Sequence, residues 1–225
     1  MRQTLFITGT DTGVGKTVFT GLLAQHLRKR GVAVAAFKPV CSGGRADARA
    51  LQAALGGGAL TLEEINPWHF RAPIAPVLAA RKEKKTVKLS EVLKYIRTWE
   101  KQFTITLVEG AGGLLSPLGE DFDSRDLMAA LRAMPIVVAQ NKLGMVNHVL
   151  LTLEALPKNL RAEEAIILVS PPKPDAATVS NAGLLGGYVA RQKLFTLPWL
   201  GEAFDPAKAL KDKRVRKILD DLIKV

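Results

Sequence analysis

The sequence contains little cysteine and few aromatic residues. Cys41 is the single cysteine among 225 residues, so no internal disulfide can form and a reducing compartment is expected. Aromatic residues make up 6% of the chain, and neither an aromatic-rich RNA-binding motif nor the spacing of a zinc finger is present. No apolar run approaches the roughly 20 residues that span a bilayer, and the N-terminus leads directly into a strand-like run without a signal-peptide layout. We therefore expect a cytoplasmic protein with no membrane partner.

Acidic residues are scarce relative to basic ones. The chain has 21 Asp and Glu against 32 Lys and Arg, a formal net charge of +11, which suits binding either of nucleic acid or of an anionic small ligand. The densest basic run, "KALKDKRVRKILDDLIK" at 208–224, is interrupted by aspartates. It also carries apolar residues at helical spacing, namely Leu210, Ile218, Leu219 and Leu222. This pattern indicates the solvated face of a terminal helix, so only the net charge favours nucleic-acid binding.

Apolar strand-like runs alternate with helical patterns along the chain. Hydrophobic residues make up 48% of it, and its length suits one domain over residues 1–225. The pattern predicts a three-layer α/β/α fold with a mostly parallel central sheet. The predicted strands cover 4–9, 32–40, 105–110, 135–140 and 165–170, and 195–200 is either a late strand or a strand-like loop. The predicted helices cover 16–29, 47–55, 89–102, 124–133, 145–156 and the terminal run, with Gly56–Gly58 ending the second helix and Ser90 capping the third.

The stretch "ITGTDTGVGKT" at 7–17 joins the first strand to the first helix. Gly13 and Gly15 allow backbone N–H groups to face an anion, and the start of the helix adds its dipole. Lys16 would reach the β- and γ-phosphates of a nucleotide, and the Thr17 hydroxyl would bind Mg²⁺. The usual phosphate-binding loop has a glycine at position 10, where this chain has Thr10. The sequence therefore predicts a variant P-loop with extra polar side chains; the alternative is an ordinary glycine-rich turn.

Three further stretches follow predicted strands and should lie on the same edge of the sheet: "KPVCSG", "VEGAGG" and "NKLGMVNH". In the first, Lys38 either meets an anion, with Ser42 beside it, or extends to solvent. In the second, Glu109 either serves a Mg²⁺ site or caps a helix. Asp47 is a second candidate metal ligand, or the N-cap of its helix. In the third, the lone His148 is expected to be structural.

Six stretches in order resemble the dethiobiotin synthetases: "GTDTGVGKT", "KPVCSG", "NPWHFRAPIAP", "VEGAGG", "NKLGMVNH" and "LPWLG", which together span residues 9–201. The resemblance implies a P-loop fold and a homodimer with active sites at the subunit interface. It also implies a reaction in which 7,8-diaminononanoate, CO₂ and ATP give dethiobiotin, ADP and phosphate in the presence of Mg²⁺. A carbamate and a mixed carbamic-phosphoric anhydride are the implied intermediates.

The resemblance also implies roles for single residues. Lys16 and Lys38 would hold the γ-phosphate, while Thr12 and Ser42 would contact the carbamate or phosphate. The metal would lie among Thr17, Asp47 and Glu109. The implied nucleotide contacts are Gly13, Val14, Gly15, Lys16, Thr17, Val18, Glu109, Pro198 and Leu200. The implied substrate contacts are Thr12, Lys38, Ser42, Pro73, Leu143, Gly144 and Asn147, the last three acting from the partner subunit on the substrate carboxylate.

The chain departs from this family at two places. Many members have an acidic residue where this chain has Gly13. The family also commonly has an adenine-reading asparagine near Val169–Ser170, and this chain has none there. The base would then be held by backbone near "SPPKP" and "LPWLG". We hypothesise that nucleotide selectivity is relaxed.

Three other classes compete with this interpretation. Dimeric partitioning-type P-loop ATPases, which act as switches, carry K-G-G-x-G-K-T, and this chain has Asp11 in place of the signature lysine. Related amide-forming synthetases usually carry a glutaminase domain, for which 225 residues leave no room. A nucleic-acid-binding protein would show strongly salt-dependent affinity for DNA.

Overall fold

Parallel strands dominate the computed structural model, which describes residues 2–161, 164–201 and 204–223. In chain order the described strands are β1 Gln3–Gly9, β2 Val34–Phe37, β3 Val40–Ser42, β4 Trp68–Phe70, β5 Ile105–Glu109, β6 Met134–Gln140, β7 Ala165–Val169 and β8 Leu194–Leu197. The central sheet has the order β2-β5-β1-β6-β7-β8, and all of its pairings are parallel. Strands β3 and β4 pair in a second, small parallel sheet.

Helices complete a three-layer α/β/α arrangement around the central sheet, which confirms the predicted fold class. The described helices are α1 Lys16–Lys29, α2 Ala46–Ala54, α3 Leu62–Ile65, α4 Pro76–Lys82, α5 Leu89–Glu100, α6 Ser124–Leu131, α7 Met145–Ala155, α8 Ala176–Leu185, α9 Pro206–Ala209 and α10 Lys213–Ile223, with a 3₁₀ turn at Arg191–Lys193. Each helix in the described part of the chain is too short or too polar to cross a membrane.

The most apolar strands occupy the middle of the sheet, where helices cover both faces. Strand β1 lies between β5 and β6, and Leu5, Phe6 and Ile7 are buried. Ile7 is in register with Glu109 of β5, and Gly9 with Val138 of β6. The carboxyl ends of these strands therefore meet at one edge, as expected for the ligand-binding edge of a parallel sheet.

The prediction of a single strand over 32–40 is wrong, because this stretch forms two strands, β2 and β3. Pro39 lies at the break and has no N–H to donate to a ladder. The neighbouring Lys38 N–H donates to Ile65 O, and the Trp68 N–H donates to Pro39 O. The chain thus leaves the central sheet after β2 and pairs with β4 instead.

Two helix details also differ from expectation. Helix α5 begins at Leu89 with Lys88 in the N-cap position and no side-chain cap hydrogen bond, so Ser90 is not the cap. Helices α3, α4 and α8 had not been predicted. The α8 sequence "AATVSNAGLL" is short and has little apolar periodicity, whereas its start is fixed by a capping box between Asp175 and Thr178.

The charged terminal run forms a helix as predicted, although it begins later. The apolar residues of this run are divided between two helices. Leu210 is the C-cap of α9, whereas Ile218, Leu219 and Leu222 lie on α10. Lys224 lies outside the described residues. Leu219 and Leu222 are buried, and His26 Nε2 on α1 lies 2.9 Å from Asp220 Oδ1. Helix α10 therefore packs on α1, the helix that follows the P-loop.

Replacing Leu219 by Ala tests this packing. Leu219 is fully buried, so Leu219→Ala should lower the free energy of unfolding by about 2–5 kcal/mol in a denaturant titration. The matched control is Lys217→Ala on the exposed face of α10, which should change it by no more than about 0.5 kcal/mol. Equal effects of the two substitutions would contradict the packing of α10.

Candidate active site

The loop between β1 and α1 has the backbone geometry of a phosphate-binding loop. Gly13 has φ 73°, and Gly15, at the N-cap of α1, has φ 101°. Both values lie in the left-handed region that favours glycine. The buried Val14 side chain anchors the loop, because a Cβ on Gly9 would lie 2.7 Å from Val14 Cγ2. The loop N–H groups and the start of α1 can therefore surround an anion.

Lys16 is buried at the start of α1. Its Nζ donates a hydrogen bond to Asp11 O at 2.8 Å, so the side chain folds back onto its own loop. Burial, followed by the positive charge of Lys38, lowers the pKa of Lys16 to about 8. A bound phosphate would offer a stronger acceptor than the carbonyl oxygen and would favour the charged ammonium.

Lys38 lies between two carboxylates at the end of β2. Its Nζ is 2.7 Å from Glu109 Oε1 and 3.0 Å from Asp47 Oδ2, and it also donates to Gly110 O at 3.0 Å. The residue is 3% exposed, so Lys38 does not extend to solvent. Burial alone would lower the pKa of Lys38, but the two carboxylates outweigh it and raise the pKa above the usual lysine range. Lys38 is therefore a fixed cation.

Glu109 and Asp47 face this cation and the P-loop helix. Glu109 is fully buried, and its Oε1 also accepts a hydrogen bond from Thr17 Oγ1 at 2.8 Å, so it does not cap a helix. Asp47 lies inside the first turn of α2, whose N-cap position is Arg45, so it is not the N-cap. Burial would raise the pKa of Asp47, but Lys38 outweighs it and the pKa is lowered. Both residues keep their candidate role near a metal.

These oxygen donors fit Mg²⁺ only if phosphate oxygens complete its coordination. Within the described residues, no group of three or more His, Cys, Asp and Glu side chains is arranged to hold a metal alone. Glu109 Oε2 is buried and, among those same residues, has no hydrogen-bond partner. Mg²⁺ in nucleotide sites is usually held by one or two carboxylates together with waters and substrate phosphates. The set of Thr17, Asp47 and Glu109 has that character.

A cavity of about 800 Å³ opens above the P-loop. It is lined by most of the residues that the sequence analysis proposed: Thr12, Gly13, Gly15, Lys16, Thr17, Val18, Lys38, Ser42, Asp47 and Pro73. The cavity also has lining residues that had not been proposed, including Cys41, Ile74, Ala111, Gly112, Ser116 and Pro117. The motif "VEGAGG" could have indicated Ala111 and Gly112, whereas no sequence signal marked Ser116.

The remaining proposed residues lie outside this cavity. Val14 is in the core, and Glu109 is connected to the cavity through Thr17 and Lys38. Pro198 and Leu200 follow β8. The set Leu143, Gly144 and Asn147 marks the start of α7, where Leu143 is 82% exposed. His148 on the same helix is also exposed and lies outside the core, and its structural role stays a prediction.

The side of the P-loop near β7 has no free asparagine amide in the described residues. A Cβ on Gly15 would lie 3.2 Å from Val169 Cγ2, so β7 approaches the loop closely. The nearby Asn141 is buried; it donates to Thr178 O at 3.0 Å and accepts from Asn181 Nδ2 at 2.9 Å. Both ends of its amide therefore hold α8 in place, and Asn141 is not available to read a base.

A strand, a glycine-rich loop and a Lys-Thr pair at the start of a helix, with a buried carboxylate on β5 beside that strand in the sheet, define a P-loop nucleoside triphosphatase. A family model described as an AAA domain matches residues 3–206. The ATP-dependent dethiobiotin synthetase BioD of Anaeromyxobacter dehalogenans (strain 2CP-C) is 40% identical over 219 residues, which cover 95% of this chain and 98% of the relative. The protein of the same name from Methanocaldococcus jannaschii is 39% identical over 156 residues, 68% and 72% of the two chains. The chain therefore belongs to the dethiobiotin synthetase family, as its motifs indicated.

Solved structures with low sequence identity share the fold. The ParA family ATPase from Chlorobium tepidum TLS aligns over 100% of both chains with a TM-score of 0.62 and 11% identity. The MinC:MinD cell division protein complex of Aquifex aeolicus gives a TM-score of 0.63 and 13% identity over 99% of this chain and 94% of the other. At such identities the likeness shows only the fold. It does not favour the partitioning switch, which Asp11 also opposes.

Proposed function

We propose that this chain catalyses the ATP-dependent ring closure of 7,8-diaminononanoate with CO₂ to dethiobiotin, a ligase reaction of biotin biosynthesis. The observation that carries the proposal is the pair of buried lysines, Lys16 and Lys38, which line one cavity above a P-loop. A nucleotide alone needs one such lysine. A second fixed cation suits a substrate that is itself anionic when it meets the γ-phosphate.

The proposed reaction has three bond-forming steps. One substrate amine attacks CO₂ and loses a proton, which gives a carbamate. A carbamate oxygen then attacks the γ-phosphorus, ADP leaves, and a mixed carbamic-phosphoric anhydride is formed. The second amine attacks the carbonyl carbon, closes the ureido ring and expels phosphate. Each step requires positioning and charge neutralisation more than a strong base.

The chain's own residues supply these two requirements. Lys16 and Lys38 reduce the repulsion between the carbamate and the γ-phosphate. Thr12 would hold one reacting oxygen, and Ser42 would hold another once its proton turns from Ile74 O to the anion. The Ser42 hydroxyl donates to Ile74 O at 2.5 Å, which ties β3 to the 73–76 segment and places Pro73 in the cavity wall. Thr17, Asp47 and Glu109 would hold Mg²⁺, which supplies charge neutralisation at the phosphates when bound.

We further propose a cytoplasmic homodimer, with neither nucleic acid nor membrane as a partner. In this arrangement the partner's Leu143, the partner's Gly144 and the partner's Asn147 receive the substrate carboxylate. Support comes from the position of these residues at the start of α7, where a helix N-terminus favours an anion. The high exposure of Leu143 also suits burial against a second copy.

A phosphate-release assay tests the function directly. The complete mixture holds the protein, diaminononanoate, bicarbonate, ATP and Mg²⁺, and each component is omitted in turn. We expect phosphate and dethiobiotin in equal amounts in the complete mixture, and neither when the diamine is left out. Hydrolysis of ATP that does not depend on the diamine would favour the switch function instead.

Nucleotide selectivity is expected to be weak. Asn141 is engaged with α8, and backbone groups read a base less selectively than a side-chain amide does. Turnover with CTP or GTP at matched concentration should therefore be within about tenfold of turnover with ATP. The Ser170→Asn variant, which adds an amide beside β7, should increase the preference for ATP. A very large preference for ATP in the unaltered protein would refute the hypothesis.

A further inference from the structure

Two cavities meet at the turn that follows "VEGAGG". The first is the cavity above the P-loop. The second, of about 530 Å³, is lined by the polar residues Thr10, Asp11, His148 and Thr152 together with apolar residues such as Leu115 and Leu151. Ser116 and Pro117 line both cavities. This turn therefore separates the charged cavity above the P-loop from one whose lining mixes polar and apolar residues.

The turn is fixed by two reciprocal hydrogen bonds. The Ser116 N–H donates to Gly113 O at 3.2 Å, and the Gly113 N–H donates to Ser116 Oγ at 2.9 Å. The turn also lies against the P-loop, because a Cβ on Gly113 would be 3.5 Å from Gly9 O. The position of the Ser116 hydroxyl is thus set by backbone rather than by a free rotamer.

The hydroxyl of Ser116 lies beside that of Thr12. A Cβ on Gly112 would clash with Ser116 Oγ and would lie 3.6 Å from Thr12 Oγ1. Both hydroxyl oxygens are therefore close to the same position beside Gly112. Ser116 Oγ uses one acceptor position for Gly113, and its proton has no protein acceptor within residues 2–161, 164–201 and 204–223. A fixed donor next to Thr12 suits an oxyanion.

The geometry points to Ser116 as a further substrate-binding residue, which donates a hydrogen bond to a carbamate oxygen of the carboxylated diamine. This inference rests on the proposed function. The carbamate is favoured over the γ-phosphate because Ser116 also lines the second cavity, where Leu115 and Leu151 offer apolar surface to the hydrocarbon chain of the diamine. The glycines and Lys16 of the P-loop, by contrast, line only the first cavity.

Steady-state kinetics of Ser116→Ala test the inference. Loss of a hydrogen bond to a charged group should lower kcat/KM for the diamine by roughly 10- to 100-fold, while KM for ATP stays within about twofold. Ser116→Thr keeps the hydroxyl and should retain most of the activity. Ser90→Ala, on the exposed surface of α5, is the matched control and should leave both parameters unchanged.

The other outcomes separate the possible roles. A rise in KM for ATP that parallels the loss for the diamine would mean that Ser116 only holds the turn against the P-loop or contacts the phosphate, and would overturn the inference. Normal kinetics in Ser116→Ala would overturn it as well. If the unaltered protein makes no dethiobiotin, the proposed function fails and this inference fails with it, whereas an active protein with an unaffected variant refutes the inference alone.

Discussion

Replacing Lys38 by Met is expected to abolish turnover. Lys38 is the fixed cation between Glu109 and Asp47, and in the proposed reaction it neutralises charge where the carbamate meets the γ-phosphate. Removal of one preorganised donor of this kind costs about 10²–10³ in rate, and loss of a full charge costs more, so we expect a fall of at least about 10³-fold. The measurement is dethiobiotin formation at saturating ATP and diamine.

Loss of folding must be separated from loss of chemistry in this variant. Removing one partner of a buried ion pair destabilises a protein by about 3–5 kcal/mol, because the other charge is left unpaired. The double variant Lys38→Met/Glu109→Gln removes both charges of the fully buried pair and leaves only Asp47, whose side chain is 49% exposed, so it should recover stability without recovering turnover. Circular dichroism and a denaturant titration give the stability of each variant. Near-normal activity in folded Lys38→Met would contradict the role of Lys38.

The second large effect is expected from Glu109→Gln. Glutamine keeps the size of the side chain and one oxygen that can accept from Thr17 Oγ1, but it removes the charge that would attract Mg²⁺. Turnover should fall by about 10²–10³-fold, as expected when one charged group that stabilises the transition state is lost. The Mg²⁺ concentration for half-maximal activity should also rise, and a Mg²⁺ titration of the activity measures it.

The control for this titration is Glu91→Gln. Glu91 lies in the first turn of α5 and is exposed, so the variant makes the same chemical change on the surface. Its Mg²⁺ titration should match that of the unaltered protein. If Glu109→Gln lowers turnover but leaves the Mg²⁺ titration unchanged, Glu109 acts only by holding Lys38, and its proposed role near the metal is wrong.

Features with a local chemical cause were predictable from the sequence. The P-loop needs glycines with positive φ, and a lysine at the end of a buried strand needs a partner, so Gly13, Gly15 and Lys38 were recognisable without the structure. The parallel sheet followed from its apolar strands. The family resemblance is confirmed, whereas the single domain, the dimer and the residue roles remain predictions.

Features that depend on distant contacts were not predictable. Strand β4 exists only because the chain leaves the central sheet at Pro39 and meets residues about thirty positions later. Helix α8 is held by the buried amides of Asn141 and Asn181, which no periodicity reveals. Ser116 lines the cavity because its turn lies against the P-loop. This contact joins the loop after β5 to the loop after β1.

The position of β1 in the sheet has a consequence for how the protein is made. This strand is synthesised well before its two neighbours, β5 and β6, which begin at Ile105 and Met134. At about 5–20 residues per second, the P-loop strand emerges from the ribosome seconds before it can pair. During that interval its apolar face is exposed, and parallel pairing over such a sequence distance is slow. The nascent chain should therefore be most prone to aggregation, and most dependent on chaperones, until β6 has emerged.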